Sequence, residues 1–138
     1  MAVLAQASAQ EIAGGLAALP EQIEHKEARS AETGLVMLRG RVGGDGAPFN
    51  VGEATVTRCA VQLKSGEMGF SYVLGRDRKK AKLAALCDAL WQNKNYRNLI
   101  VAHVLTPVRE RLDRERRQTD SRTAATRVDF FTMVRGED

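Results

Sequence analysis

The amino-acid sequence predicts a single α+β domain, in which an antiparallel sheet of about four strands carries helices packed on it. Three observations lead to this fold class. The chain has 138 residues, and no repeat or low-complexity linker divides it. Residues suited to strands, separated by turn residues, fill 23–74. After Gly75 the apolar residues recur at helical spacing instead.

An N-terminal helix is expected over about 3–19. Its apolar positions are compatible with one helical stripe, and they are Leu4, Ile12, Leu16 and Leu19. Gly14 and Gly15 weaken the helix by roughly 1 kcal/mol each relative to alanine. Pro20 then ends the segment, because proline has no amide hydrogen to continue a helix.

Strands are expected near 23–30, 34–42, 50–64 and 67–74. The segments between them, 32–34, 43–46 and 64–67, have turn chemistry and contain glycine, which is free to adopt positive φ. Connections this short join neighbouring antiparallel strands. The strands should therefore form successive hairpins.

Two helices should follow the strands, over about 78–93 and 107–126. The first has Leu83, Leu86 and Leu90 at helical spacing, and Asp77 precedes it where an acid favours the helix dipole. The second begins with Pro107, whose missing amide hydrogen costs nothing in a first turn.

The second helix has a thin apolar face. Val108 and Leu112 continue only into Thr119 and Thr123. A helix with so little apolar surface gains little stability from its own core. We expect a neighbouring subunit to stabilise it.

The C-terminal segment 128–136 is expected to dock on a partner. It contains Phe130 and Phe131, and Met133 and Val134 follow them. Chain ends fray unless they are held, and this one is too apolar to be left in water. The same run is also compatible with an edge strand of the domain's own sheet.

The chain is basic, with a formal charge of +4 and a pI near 9.4. Most of the excess lies in 109–127, where seven arginines alternate with four acidic residues. Interleaved charges of this kind are typical of a solvated helix face. The alternative is a small basic nucleic-acid-binding module. The stretch has no aromatic residue to stack on bases, which makes nucleic acid the less favoured partner.

Catalytic and metal-binding patterns are weak. His25 and His103 are isolated, and no paired Cys or His spacing typical of a metal site occurs, so no metal is expected. Cys59 and Cys87 are expected to be reduced, buried thiols. No apolar run is long enough to cross a bilayer, and the N-terminus lacks the layout of a secretory signal. The protein is expected to be cytoplasmic.

Glycines and arginines mark two possible anion sites. The run 40–46 lacks the Gly-Lys-Ser/Thr ending of a phosphate-binding P-loop, so a hairpin loop is the better interpretation. At 75–77, Asp77 can cap a helix, or Arg76 can bind an oxyanion at the helix start. Strand alternation puts Arg58 on the face opposite Thr57. That face is either exposed, or covered by another protein that closes a phosphate-rich cavity.

Five segments, in this order and spacing, resemble the PhnG family of G subunits of the bacterial carbon–phosphorus lyase core complex. They are 31–36 (AETGLV), 43–46 (GGDG), 49–58 (FNVGEATVTR), 75–77 (GRD) and 128–136 (VDFFTMVRG). The resemblance implies an α+β subunit that assembles with PhnH, PhnI and PhnJ. The ATP-binding-cassette-type subunits PhnK and PhnL would join at the periphery.

The resemblance also implies a function in phosphonate catabolism. With subunits H, I and L, a G subunit is needed to displace adenine from MgATP with an alkylphosphonate, which gives ribose 1-alkylphosphonate 5-triphosphate. The nucleosidase chemistry belongs to PhnI in that scheme, and the later radical cleavage belongs to the iron–sulfur subunit PhnJ. This chain would then support the reaction, with no catalytic residue and no cofactor of its own. MgATP would be a substrate of the complex.

Candidate contact residues follow from the motifs. Arg58, Arg76 and Arg135 are the candidate oxyanion or interface arginines, and Phe130 and Phe131 are the candidate docking anchors. A self-sufficient transferase would need an acid, a base and phosphate ligands converging in one chain. The sequence offers the arginines without an evident base.

Overall fold

The computed structural model describes residues 1–20 and 23–126, which form a three-stranded antiparallel sheet with helices packed on one face. The sheet order is β1-β2-β3. The elements in chain order are α1 (Ala2–Gln6), α2 (Ala9–Ala17), β1 (His25–Arg41), β2 (Pro48–Leu63), β3 (Met68–Leu74), α3 (Arg78–Gln92), α4 (Lys94–Ile100), a π-helical turn (Val101–Leu105) and α5 (Thr106–Ala125).

The expectation of about four strands was wrong by one, because 23–30 and 34–42 belong to a single strand, β1. The supposed turn at 32–34 stays paired with β2, with Glu32 opposite Arg58 and Thr33 opposite Thr57. A Glu-Thr-Gly sequence favours a turn only when its backbone has no neighbouring strand to pair with. Here the cross-strand pairing with β2 determines the conformation instead.

The other two glycine-containing segments do form turns. Gly43 and Gly44 have φ of 62° and 91° in the loop between β1 and β2, and Gly66 has φ of 107° between β2 and β3. These conformations are disfavoured for residues with a Cβ atom. The loop residues 42–47 therefore end a long hairpin.

The single N-terminal helix expected over 3–19 is in fact two helices. Ser8 is extended, with φ −81° and ψ 159°, and its hydroxyl accepts a hydrogen bond from the Glu11 amide over 3.1 Å. The Glu11 carboxylate accepts one in return from the Ser8 amide over 2.7 Å. This capping box starts a new helix at Ala9, because it satisfies amides that a continuous helix would have bonded internally.

Helix α3 covers the sheet with small side chains. Ala81, Ala85 and Ala89 are fully buried against β2 and β3. A Cβ at Gly69 would collide with the Ala85 carbonyl oxygen and the Ala89 amide nitrogen, so glycine is required for this close approach. Leu90, Ile100, Val104 and Ile12 belong to the main core between α3 and the other helices.

Helix α5, Thr106–Ala125, lies within one residue of the expected 107–126 at both ends. Helix α4 and the π-helical turn lead directly into α5, so Pro107 lies within a continuous helical segment. A proline there clashes with the carbonyl one turn earlier in regular α-helix. The wider π-helical turn immediately before it relieves that clash and accommodates the missing amide.

Candidate functional site

Arg58 lies in β2 on the face of the sheet that α3 does not cover. Its neighbours across the strands are Glu32 in β1 and Tyr72 in β3. Arg58 Nε donates a hydrogen bond to Glu32 Oε1 over 2.7 Å, and Nη1 donates to the Tyr72 hydroxyl over 3.4 Å. Arg29 Nε lies 3.2 Å from the same Glu32 oxygen. Two guanidinium groups therefore share one carboxylate.

The arginine cluster (Arg29, Glu32 and Arg58) keeps a net positive charge. Hydrogen bonds to Tyr72 and to Glu32 raise the pKa of the Arg58 guanidinium above its ordinary value, so this group stays protonated. Glu32 neutralises one of the two arginines. A shallow cavity of about 160 Å³ lies beside Arg58, with Thr33, Val36, Val56 and Tyr72 in its lining. The cluster can meet an oxyanion or an acidic side chain of another molecule.

Thr57 points to the opposite, buried face, which is the arrangement that strand alternation predicts. Its hydroxyl donates a hydrogen bond to the Gly75 carbonyl oxygen over 2.7 Å and lies 3.1 Å from the Thr33 hydroxyl. The Gly75 amide donates to the Thr55 carbonyl oxygen over 2.9 Å. These bonds join the β1–β2 hairpin to the turn at 75–77.

The turn at 75–77 contains the helix cap that the sequence allowed. Gly75 has φ of 87°, and Asp77 Oδ1 accepts a hydrogen bond from the Lys80 amide over 2.8 Å at the start of α3. Arg76 is exposed between them, and its guanidinium has no hydrogen bond or ion pair with the residues that the structure describes. Its proposed contact with an oxyanion stays a prediction.

Three candidates lie outside the described residues. Arg135, Phe130 and Phe131 all belong to the C-terminal segment 128–136. The docking role of this segment and its alternative role as an edge strand both stay predictions.

Large apolar side chains are exposed on the outer face of β3. Phe70, Tyr72 and Leu74 point away from α3, and all three are more than half exposed. Between them, Ser71 and Val73 are buried under α3. The outer face is therefore as apolar as the inner face, although no described element is packed on it.

Exposed apolar side chains also lie along a two-stranded ribbon. Beyond the last pair with β3, Val56 opposite Leu74, the β1–β2 hairpin extends without a third strand. We call residues 35–55 the ribbon. Its exposed large apolar side chains are Leu35, Met37, Leu38, Val42, Phe49 and Val51. Exposed apolar surface of this extent marks an interaction site.

Comparison with known proteins identifies the family. The family described as "Phosphonate metabolism protein PhnG" matches residues 1–136. The chain belongs to the PhnG family. A relative from Rhizobium meliloti (strain 1021), named "Alpha-D-ribose 1-methylphosphonate 5-triphosphate synthase subunit PhnG", is 49% identical over 138 residues. The match covers 100% of this chain and 88% of that relative. The resemblance carried by the five sequence segments is therefore confirmed.

The cysteines are placed as structural residues in this PhnG-family chain. Both are buried. Burial raises the pKa of the Cys87 thiol to about 12 and also raises that of Cys59, whose Sγ donates to the Arg29 carbonyl oxygen over 3.3 Å. A nucleophilic thiol needs the opposite shift.

Residues 1–20 and 23–126 contain neither a metal-binding cluster nor a membrane-spanning helix. No cluster of three or more His, Cys, Asp or Glu side chains in this part of the chain could hold a metal ion. No described helix has the length and apolar character required to cross a membrane.

The arginine-rich stretch lies largely in α5. The start of this helix packs against the domain, and the rest of it is exposed. Arg111 is bound internally, with Nε 2.5 Å from Glu11 Oε1 and Nη2 donating to the Gln6 carbonyl oxygen over 3.0 Å. From Asp113 to Ala125 every residue is exposed. Arg116 lies 4.0 Å from Asp120 there. The mixed charges are those of a solvated helix face, as interleaving suggests.

Sequence reasoning missed two partners because both require tertiary pairing. Glu32 binds Arg58 across the strands, 26 positions away in the chain. Glu11 binds Arg111 across 100 positions. The Glu32 pair could have been found from the hairpin register, once 32–34 was assigned to a strand. Nothing in the local sequence indicates the Glu11 pair.

Proposed function

We propose that this chain is a subunit of an enzyme complex that joins the ribose triphosphate part of MgATP to an alkylphosphonate. The reaction would give ribose 1-alkylphosphonate 5-triphosphate and free adenine. The proposal is supported by membership of the PhnG family and by the relative that is named as a subunit of such a synthase. MgATP would be a substrate of the complex, not a cofactor held by this chain.

The observation that carries a subunit role is the apolar surface left uncovered on the sheet. A monomer rarely exposes this many large apolar side chains, with Leu35 on one face of the sheet and Phe70 and Leu74 on the other. Burying each such side chain in an interface contributes about 1.5–3 kcal/mol. We propose that PhnH, PhnI and PhnJ provide the covering surfaces, with PhnK and PhnL peripheral, and that the complex works in the cytoplasm.

The catalytic groups would then come from the partners. Bond exchange at the ribose carbon requires release of adenine and attack by a phosphonate oxygen, which calls for a positioned acid, base and cation. On this chain the described groups nearest to such a role are Arg58 and Arg76. We propose that these two arginines bind negatively charged groups at the edge of a site that another subunit completes.

Co-expression tests the subunit proposal. A tagged copy of this chain, produced with PhnH, PhnI and PhnJ, should co-elute with all three. With PhnL, MgATP and methylphosphonate added, the mixture should release adenine, and omission of this chain should abolish that release. If the three partners elute together without it, or if adenine release continues in its absence, the proposal fails.

Arg76→Ala tests the anion role. If Arg76 faces a phosphate, its charge-assisted hydrogen bond is worth roughly 1.5–3 kcal/mol, or about ten- to hundredfold in turnover. Arg78→Ala is the matched control, since Arg78 is an exposed arginine two positions later in α3. If the two variants show equal turnover in intact complexes, Arg76 does not bind a phosphate. The function of this turn is then limited to the capping of α3 by Asp77.

A further inference from the structure

The two edge strands of the sheet, β1 and β3, differ in whether their free backbone groups have hydrogen-bond partners. On β3, side chains of α3 occupy backbone groups of the free edge. Asp88 Oδ2 accepts a hydrogen bond from the Phe70 amide over 3.0 Å, and Gln92 Nε2 donates to the Met68 carbonyl oxygen over 2.7 Å. Within the described residues, β1 pairs on one side with β2 and has no strand on its other side. The free edge of β1 is therefore the open one.

The first half of β1 is protected against strand addition by its own sequence. It carries four charged side chains, which are Lys26, Glu27, Arg29 and Glu32. The register with β2 also shifts between Glu27 and Arg29 and again between Arg29 and Glu32. Charges and bulges are the means by which natural sheets keep an edge strand unpaired.

The second half, residues 33–38, has neither protection. Its sequence, TGLVML, carries no charge, and its register with β2 is continuous from Glu32 to Leu38. Leu35 is 62% exposed and Met37 is 52% exposed. A regular, uncharged and apolar edge is a template for another strand, and in a lone chain it is an aggregation hazard.

We propose that residues 33–38 of β1 receive an extended strand from a partner subunit, which adds to the sheet through main-chain hydrogen bonds. The inference rests on the proposed subunit function and names the surface that function uses. Strand addition gives affinity through the backbone and specificity through alternate side chains. The incoming strand would place apolar residues beside Leu35 and Met37.

Charge identifies the chemistry of that strand further. Glu32, before the open segment, is already bound by Arg29 and Arg58. Arg39, after it, is exposed, and its guanidinium has no hydrogen bond or ion pair with the described part of the chain. The unmatched charge of this edge is therefore positive. The partner strand carries an acidic residue at the end that lies beside Arg39.

A second copy of this chain does not fit the same edge as well. Residues opposite each other in an antiparallel pair share a face of the sheet. Glu32 and Arg39 are an odd number of positions apart and face opposite ways, so symmetric β1–β1 pairing cannot place them opposite each other. Glu27 could lie opposite Arg39, but it is already paired with Lys82. We therefore assign the acidic residue to a different polypeptide.

Hydrogen exchange in the complex distinguishes strand addition from docking on a face. Alternate backbone amides of 33–38 should exchange at least a hundredfold more slowly in the assembled complex than in the isolated chain. If the chain co-elutes with its partners but these amides show no alternating protection, the strand inference fails and the subunit proposal stands. If the chain does not co-elute at all, the subunit proposal itself fails.

Substitution gives the second measurement. Leu35→Lys with Met37→Lys should leave the thermal midpoint of the isolated chain nearly unchanged and weaken association with the partners at least tenfold. Leu74→Lys, at a still more exposed apolar position on the outer face, is the comparison variant. Greater loss from Leu74→Lys than from the double variant would overturn the edge inference. Arg39→Glu should also weaken association at least tenfold, and unchanged binding would overturn the acidic contact.

Discussion

The sheet has a covered half and an uncovered half made from the same strands. Under α3, β2 and β3 present small side chains and contact the helix closely, as at Gly69 and Ser71. Along the ribbon, 35–55, the same two-residue alternation presents Leu35, Met37 and Val51 to solvent. Strand formation is therefore independent of covering. The covered half stabilises the domain, and the uncovered half is available to partners.

The strongest test of the covered half is Gly69→Val. Its side chain would meet the backbone of α3 at Ala85 and Ala89, which cannot move without loss of the core. We expect a loss of more than about 3 kcal/mol in the free energy of unfolding, measured by thermal or denaturant unfolding. Gly52→Val is the control, because a Cβ at Gly52 meets nothing within 4 Å. Similar losses from both variants would contradict the comparison.

Two neighbouring residues on β3, Val73 and Leu74, compare the covered face of the sheet with the uncovered face. Val73 is 1% exposed and Leu74 is 76% exposed. Val73→Ser should destabilise the isolated chain by about 2–4 kcal/mol, because it leaves a cavity and buries a hydroxyl. Leu74→Ser should change the unfolding free energy by less than about 0.5 kcal/mol. A large effect of Leu74→Ser on the isolated chain would mean that the outer face is covered within the subunit.

Thr57 tests the hydrogen bonds where the two halves meet. Thr57→Val removes the donor to the Gly75 carbonyl oxygen and the contact with the Thr33 hydroxyl, while the side-chain volume is nearly kept. We expect a loss of about 1–3 kcal/mol in chemical denaturation, since a partly buried acceptor loses its partner. Thr55→Val, two positions along the ribbon, should have little effect. Equal effects would show that these bonds do not hold the turn.

Glu11 gives the smallest expected effect and a pH dependence. Hydrogen bonding to the Ser8 amide, and then to Arg111, lowers the pKa of Glu11 below its ordinary value of 4.5. A lowered folded pKa contributes stability above the unfolded value, and that stability is lost as pH falls through the folded value. Glu11→Gln should cost about 1 kcal/mol at pH 7, with allowance for partial exposure. The difference from wild type should shrink as the pH falls below the ordinary value of 4.5.

The control for the Glu11 prediction is Glu24→Gln. Glu24 lies 2.8 Å from Lys64, but both side chains are largely exposed. Ion pairs between exposed side chains contribute little to the free energy of unfolding. A pH dependence of equal size in both variants would assign the Glu11 effect to general surface charge.

Local signals were sufficient where the backbone itself sets the conformation. The glycines at 43, 44 and 66 predicted two of the turns, and Asp77 marked the start of α3. The five family segments predicted membership of the PhnG family, which the comparisons confirm. The alternation between Thr57 and Arg58 predicted their opposite faces. Each signal depends on residues adjacent in the chain.

Pairing between distant residues could not be predicted in the same way. Segment 32–34 has turn chemistry and becomes strand because β2 lies beside it. Pro107 marks a helix start and lies within a longer helical segment because the π-helical turn precedes it. The Arg58–Glu32 contact depends on a register that no local pattern sets. Only the tertiary structure shows which half of the sheet α3 covers, because that depends on how closely Gly69 lets the helix approach.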